Sequence, residues 1–265
     1  MILNSDTITA IAAAISVIIS VIAIALSLRA KKYAENRSCI ETAISLTTDY
    51  QVLLIDMKIL KAFIVEHDSI ISIIEDKIKL KNLFAFNKDE LDTFFNRQQF
   101  DLLDHFFTGA DMKPDLMRKY YIIEKRAKNL SMDEDINGIS NDDLRFYYSH
   151  KIGQILNKLE AITMAFVNNI ASSKVVYQSL HQSFFQIVTL LYFPLSKNNI
   201  QKKDHYYSSI ITLFKEWRNF DIFLYKTYND YPIFPFDNKI WNRYPKKAKA
   251  RKENSSLPAT SESSF

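Results

Sequence analysis

Hydrophobic and polar positions divide the chain into one long uncharged run and a series of shorter periodic ones. Ile8 to Leu28 holds no charged residue for 21 positions, and at about 1.5 Å per residue a helix of that length spans the roughly 30 Å hydrocarbon layer. The pattern predicts a transmembrane helix. A secretory signal would want a basic n-region, a shorter apolar run and a small-x-small cleavage site, whereas the preceding MILNSDT carries Asp6 and no Lys or Arg. The run is therefore expected to persist as an anchor. Arg29, Lys31, Lys32 and Arg37 follow it with only Glu35 against them, and basic flanks stay on the cytoplasmic side. Residues 1–32 are expected to be the anchor and basic flank of a single-pass protein, its N-terminus out and its main domain cytoplasmic.

Beyond the anchor the period is helical almost throughout. Cys39, Ala43, Leu46, Tyr50, Leu53, Met57, Leu60 and Ile64 step by fours and threes, predicting one helix that carries straight on from the apolar run. Ile40, Ile44, Ile55, Ile59 and Phe63 widen this seam, which favours packing inside a bundle over a two-stranded coiled coil. Asn87, three residues before Glu90, marks a helix start, with Leu91, Phe95, Leu102 and Phe106 on one face until Gly109 stops it. Pro114 fits the first turn of a helix through about Asn129. After the acidic loop SMDEDINGISNDD, Asn141 to Asp143 can cap a helix reaching about Ile170, its seam Tyr148, Ile152, Ile155, Leu159, Ile162 and Phe166.

Ser172 or Ser173 can cap the next helix, whose Val176, Leu180, Phe184, Ile187 and Leu191 face the core before Pro194 ends it. A shorter helix spans about Tyr206 to Trp217. From Trp217 to Tyr244 aromatics crowd around Pro232 and Pro235, predicting an irregular segment packed across the bundle. The fold class expected is thus all-α: a transmembrane helix continuing into a multi-helix bundle over 33–244, then a disordered basic and Ser-rich tail over 245–265.

Composition narrows the chemistry. Three glycines, Gly109, Gly138 and Gly153, leave no material for phosphate-binding or dinucleotide-binding loops. The single Cys39 rules out an intramolecular disulfide and any cysteine-based zinc cluster. A net charge of +4 is too modest for a protein built as a polycation. His-Glu-x-x-His and Gly-x-Ser-x-Gly are missing, and no metal or cofactor is assigned.

On the 141–170 helix His150, Gly153, Asn157, Glu160, Met164 and Asn168 fall within about 80° of one another. They form a polar stripe between the seam and a solvent side expected to carry Lys151, Gln154 and Lys158. His150, Asn157 and Glu160 are the ligand-binding candidates, although a polar boundary is the ordinary fate of such positions. Leu156-Asn157-Lys158-Leu159-Glu160, the apolar helix from Val175 to Leu191 and Leu213 to Trp217 together resemble the shared centre of an uncharacterised family of bacterial and prophage proteins. Its members carry one N-terminal transmembrane helix and a helical cytoplasmic domain. That resemblance implies an all-helical architecture and a phage-associated setting, and lends no activity. With the anchor and its basic flank, the leading expectation is a protein of the bacterial inner (cytoplasmic) membrane that acts by binding, in superinfection exclusion or abortive infection.

The enzymatic alternative is RFYYSH, Arg145 to His150, which matches the Arg-x4-His element of helical ribonuclease toxins. In an unbroken helix these two side chains point about 140° apart, so that reading requires the helix to begin after Arg145. A structural membrane scaffold is a third alternative. The partners expected are the lipid bilayer, met by Ile8 to Leu28 with Arg29, Lys31 and Lys32, and a second copy, met by the membrane-proximal helix and a small-residue strip, Thr9, Ala12, Ser16, Ser20, Ala23, Ser27 and Ala30. Anionic lipid is a third, attracted to the tail by Arg243, Lys246, Lys247, Lys249, Arg251 and Lys252 beside Trp241 and Tyr244. The phage or host protein target is not specified by these patterns.

Overall fold

A computed structural model of the chain describes residues 5–110, 112–128, 139–199 and 206–228, with the side chains of 5–20, 81 and 224–228 outside that set. Among the described residues there are nine α-helices and no strand, so the chain is all-α. In order they are α1 (Ser5–Val65), α2 (Asp68–Lys77), α3 (Lys88–Phe94), α4 (Arg97–Thr108), α5 (Pro114–Ala127), α6 (Asn141–Val167), α7 (Ser173–Leu190), α8 (Tyr192–Lys197) and α9 (Ser208–Tyr228). A 3-10 turn at Leu80–Asn82 follows α2. The chain divides into two compact units, Met1–Glu66 with Asp111–Val176 and His67–Ala110 with Tyr177–Phe265.

The first unit is built from α1, α5 and α6. Tyr50, Leu53, Met57, Leu60 and Ile64 are buried on α1, and Tyr148, Ile152, Ile155, Leu159, Ile162 and Phe166 on α6, so both seams fall where their periodicity puts them. Phe63, Tyr120 and Tyr148 meet edge-on or tilted, with ring centroids 5.1 to 5.7 Å apart, an arrangement that places ring edges against ring faces. The widened face of α1 divides: Ile59 and Phe63 are buried, whereas Ile40, Ile44 and Ile55 are exposed. Pro114 sits in the first turn of α5, where its missing N–H costs no bond. Ser140 caps α6 by accepting the Asp143 N–H at 3.1 Å, one residue before the expected cap.

Residues 21–38 of α1 are exposed throughout. Among the described residues no helix is long and apolar enough to cross a membrane. The side chains of residues 8–20, most of the expected span, lie outside the described set, as do residues 129–138 of the acidic loop, 229–244 of the aromatic segment and the 245–265 tail.

The second unit differs from expectation at three helix ends. The helix foreseen from Asn87 to Gly109 is two helices. Asn87 caps α3, but Phe95 is extended and Asn96 opens α4 with a capping box: the Asn96 side chain accepts the Gln99 N–H at 2.9 Å, and the Gln99 side chain accepts the Asn96 N–H at 3.2 Å. The break rotates α4, burying Leu103 and leaving Leu102 on the surface. Gly109 ends α4 at φ 70°, the left-handed conformation glycine takes without steric cost. Pro194 ends no helix: α7 stops at Leu190, and the proline lies in the first turn of α8, where its lack of an N–H is tolerated. Finally α9 runs past Trp217 to Tyr228, so Phe220 and Phe223 are helical, and Phe220 is fully buried against Tyr177.

Candidate functional site

The densest polar feature among the described residues is a buried charge cluster in the first unit. Asp56 lies on α1 between Leu53 and Leu60, at core spacing, and is 2% exposed. Glu124, one turn after Tyr120 on α5, is equally buried. Two ammonium groups join them. Lys128 Nζ is 2.5 Å from Asp56 Oδ1 and 2.6 Å from Glu124 Oε1, and Lys151 Nζ is 2.6 Å from the same Glu124 oxygen and 4.0 Å from Asp56. The Tyr147 hydroxyl donates to Glu124 Oε2 at 2.6 Å. Lys158, half exposed, reaches Asp56 Oδ2 at 3.4 Å. Two carboxylates and two inner lysines thus balance in charge and tie all three helices together.

Low surrounding polarity strengthens every interaction here and makes each unpaired charge costly. Burial disfavours the Glu124 carboxylate, but hydrogen bonds from Lys128, Lys151 and Tyr147 outweigh it and hold its pKa below the ordinary carboxylate value. Burial likewise disfavours the Lys128 ammonium, yet Asp56 and Glu124 overcome it and raise its pKa. The Tyr120 and Tyr147 hydroxyls are pushed up by burial and by the neighbouring Glu124 charge. Glu124 and Lys128 are therefore held charged across the neutral range and the two hydroxyls held neutral. A general acid or base needs a pKa near the working pH, and these four groups are moved away from it. Their arrangement suits a clamp on helix geometry.

Beside the cluster lies an open pocket of about 330 Å³ lined by Tyr121, Lys125, Ile139, Asp143, Leu144 and Tyr147. Its Asp143 carboxylate already accepts the Ser140 hydroxyl at 2.6 Å, and its Lys125 ammonium stands 5.2 Å over the Tyr121 ring.

The residues singled out from sequence do not converge on this cluster. His150 is exposed, stacked on the exposed Phe146 at 5.6 Å, Asn157 is exposed and Glu160 half buried. Arg145 and His150 both lie within α6, which begins at Asn141, so the helix start that would let them converge is not present. Lys151, expected on the solvent side, has a side chain only 12% exposed. It faces inward because it stands one turn after Tyr148 and one before Ile155, on the seam itself. Leu28, Arg29, Lys31 and Lys32 are exposed, and Ile8 lies on α1 with its side chain outside the described set.

No protein-family model, curated protein or solved structure matches the chain.

The cluster makes a graded prediction. Lys158→Ala removes a half-exposed ion pair and is expected to cost about 0.5 kcal/mol, whereas Lys151→Ala leaves Glu124 buried with one ammonium fewer and should cost about 2 kcal/mol or more. Denaturant midpoints of the two variants, compared at equal slope, check the ordering.

Proposed function

We propose that the chain is a single-pass membrane-anchored helical protein whose folded part lies on the cytoplasmic side and acts by binding another protein. One observation carries the anchor: Val21, Ile22, Ile24, Leu26 and Leu28 are each at least half exposed on α1, and together with the exposed Ala23 and Ala25 they leave no gap wider than about 100° around the helix at 100° per residue. A helix apolar on one stripe would call for a protein partner, whereas one apolar all round calls for lipid. These residues continue the uncharged run from Ile8, and the basic flank sets the side.

Binding is favoured over catalysis because Glu124 and Lys128 in the buried ionic site, and the Tyr120 and Tyr147 hydroxyls beside them, have pKa values moved away from the neutral range that proton transfer needs. The phage-associated setting, in superinfection exclusion or abortive infection, rests on the family resemblance alone. The same orientation puts the basic tail beside anionic headgroups, and the small-residue strip in the anchor offers a face to a second copy.

The experiment is expression of the full chain in a bacterial host alongside Arg145→Ala with His150→Ala and a chain lacking residues 1–32. The expected result is a growth or phage-resistance phenotype that survives the double substitution and disappears without the anchor. A phenotype lost in the double variant at unchanged protein level would point instead to the ribonuclease alternative.

A further inference from the structure

The first unit has a well-defined tip. α6 is antiparallel to α1: Lys158 reaches Asp56, while eleven residues further along, at Asn169, the turn after α6 meets Cys39. There the Ser172 N–H donates to the Cys39 carbonyl at 3.1 Å and the Cys39 thiol donates to the Asn169 carbonyl at 3.5 Å. Every α1 residue from 21 to 38 is exposed. Among the described residues of the unit, the turn between α6 and α7 is thus the last part to touch α1 on the way to the apolar run. Its composition, with that of the first turn of α7 that follows it, is unusual for a surface in water: Ile170 is 56% exposed and Val175 46%, with Lys174 exposed between them, while Ala171 turns inward.

From these positions we infer that the α6–α7 turn is a second membrane contact, docking the unit onto an anionic lipid surface through Lys174, Ile170 and Val175. This inference rests on the anchor reading. Cys39 is eleven residues beyond Leu28, which places the turn about 16 Å from the edge of the hydrocarbon layer if α1 stands upright. Headgroups fill about 5 to 8 Å of that distance. Helix axes pack about 10 Å apart, so a tilt of about 30° toward α6, inside the range that anchors adopt, lowers the turn to about 9 Å. Lys174 then reaches the lipid phosphates, and the two aliphatic tips meet the headgroup layer. Nearer the bilayer Arg29 stands 5.9 Å over the exposed Tyr33 ring, a cation and an aromatic at headgroup height. The turn therefore continues a surface that the basic flank begins.

The test uses the full chain with Cys39→Ala, which removes the one native thiol, and single cysteines at Ile170, Gln51 or Leu28 carrying an environment-sensitive dye. Each is reconstituted into vesicles of neutral lipid, or of neutral and anionic lipid mixed, with nitroxide on the headgroups. The dye at 170 is expected to be quenched at least threefold more than that at 51 in the anionic vesicles, and the excess should fall by half or more with Lys174→Glu. Quenching at 170 no greater than at 51, with 28 strongly quenched, would overturn the inference and leave the anchor standing. A dye at 28 that no lipid quenches would overturn the anchor itself. A dye at 170 shielded from both lipid and aqueous quenchers would assign the turn to a protein partner and also overturn the inference.

Discussion

Glu124→Gln is expected to lower the unfolding free energy by about 3 kcal/mol, because removing one member of a buried ion cluster leaves the others desolvated and unpaired. The shape of the side chain is kept, so packing does not explain such a loss. What changes is charge: the Lys128 and Lys151 ammoniums, both 2.6 Å from one Glu124 oxygen, would face each other with Asp56 as their remaining carboxylate. Tyr147 would still find an acceptor in the amide, so its bond contributes little to the difference.

The same residue sets a pH dependence. Its folded pKa lies below the ordinary value of 4.5, so its stabilising contribution is complete above that value and is lost as pH falls through the folded pKa. Lys128, raised above its ordinary value of 10.5, contributes fully below about pH 10 and loses its part only as pH climbs through the raised value. Thermal or urea unfolding between pH 5 and pH 3 should therefore show a steeper loss in the native chain than in Glu124→Gln. Equal slopes would show that Glu124 is not held ionised by its neighbours.

Glu90→Ala is the second large effect, expected at about 3 kcal/mol from four hydrogen bonds to one charged group. The Glu90 carboxylate accepts three successive backbone N–H groups, from Phe84 at 2.8 Å, Ala85 at 3.0 Å and Phe86 at 2.7 Å, and the Tyr192 hydroxyl at 2.5 Å. Consecutive amides converging on one anion form a nest, here filled by the chain's own side chain. The nest costs strain: Phe86 sits at φ 56°, a region a bulky residue enters only when its surroundings hold it there. Phe86 is also buried against Tyr192 and Phe214, so losing Glu90 frees both the turn and a core ring. Arg218 adds to the hold by donating to the Leu83 carbonyl and standing 4.6 Å over Phe84. Glu90→Gln keeps one acceptor oxygen and should fall between the native chain and Glu90→Ala. Hydrogen exchange at the amides of 84 to 86 should accelerate in both variants, and more in the alanine one.

The all-α architecture was legible because long helices with one buried face write a 3.6-residue period into the sequence, as Tyr148 to Phe166 do. Local chemistry was legible too where one residue decides it, at Asn87, Gly109 and Pro114. The break at Asn96 was not read, although its Asn-x-x-Gln carries the same signal as Asn87, because the apolar positions on either side could be threaded on one continuous face. The charge cluster was missed for a related reason. Asp56, Glu124 and Lys151 stand at seam spacing, but a charged residue is by default assigned to solvent, and which charges pair across helices depends on packing that no single helix records. The polar stripe of His150, Asn157 and Glu160 was visible as a pattern, yet His150 and Asn157 face solvent, and the buried charges gather at Asp56 and Glu124 instead.

Whether the apolar run holds the chain in a bilayer decides the rest of the account, and alkaline carbonate extraction of membranes from cells expressing the full chain tests it most directly. Carbonate strips proteins held by charge or by other proteins, whereas a helix with 21 uncharged residues in hydrocarbon stays. The chain is expected to remain in the membrane pellet and to move to the soluble fraction when residues 1–32 are removed. Release of the full chain into the carbonate supernatant would contradict it.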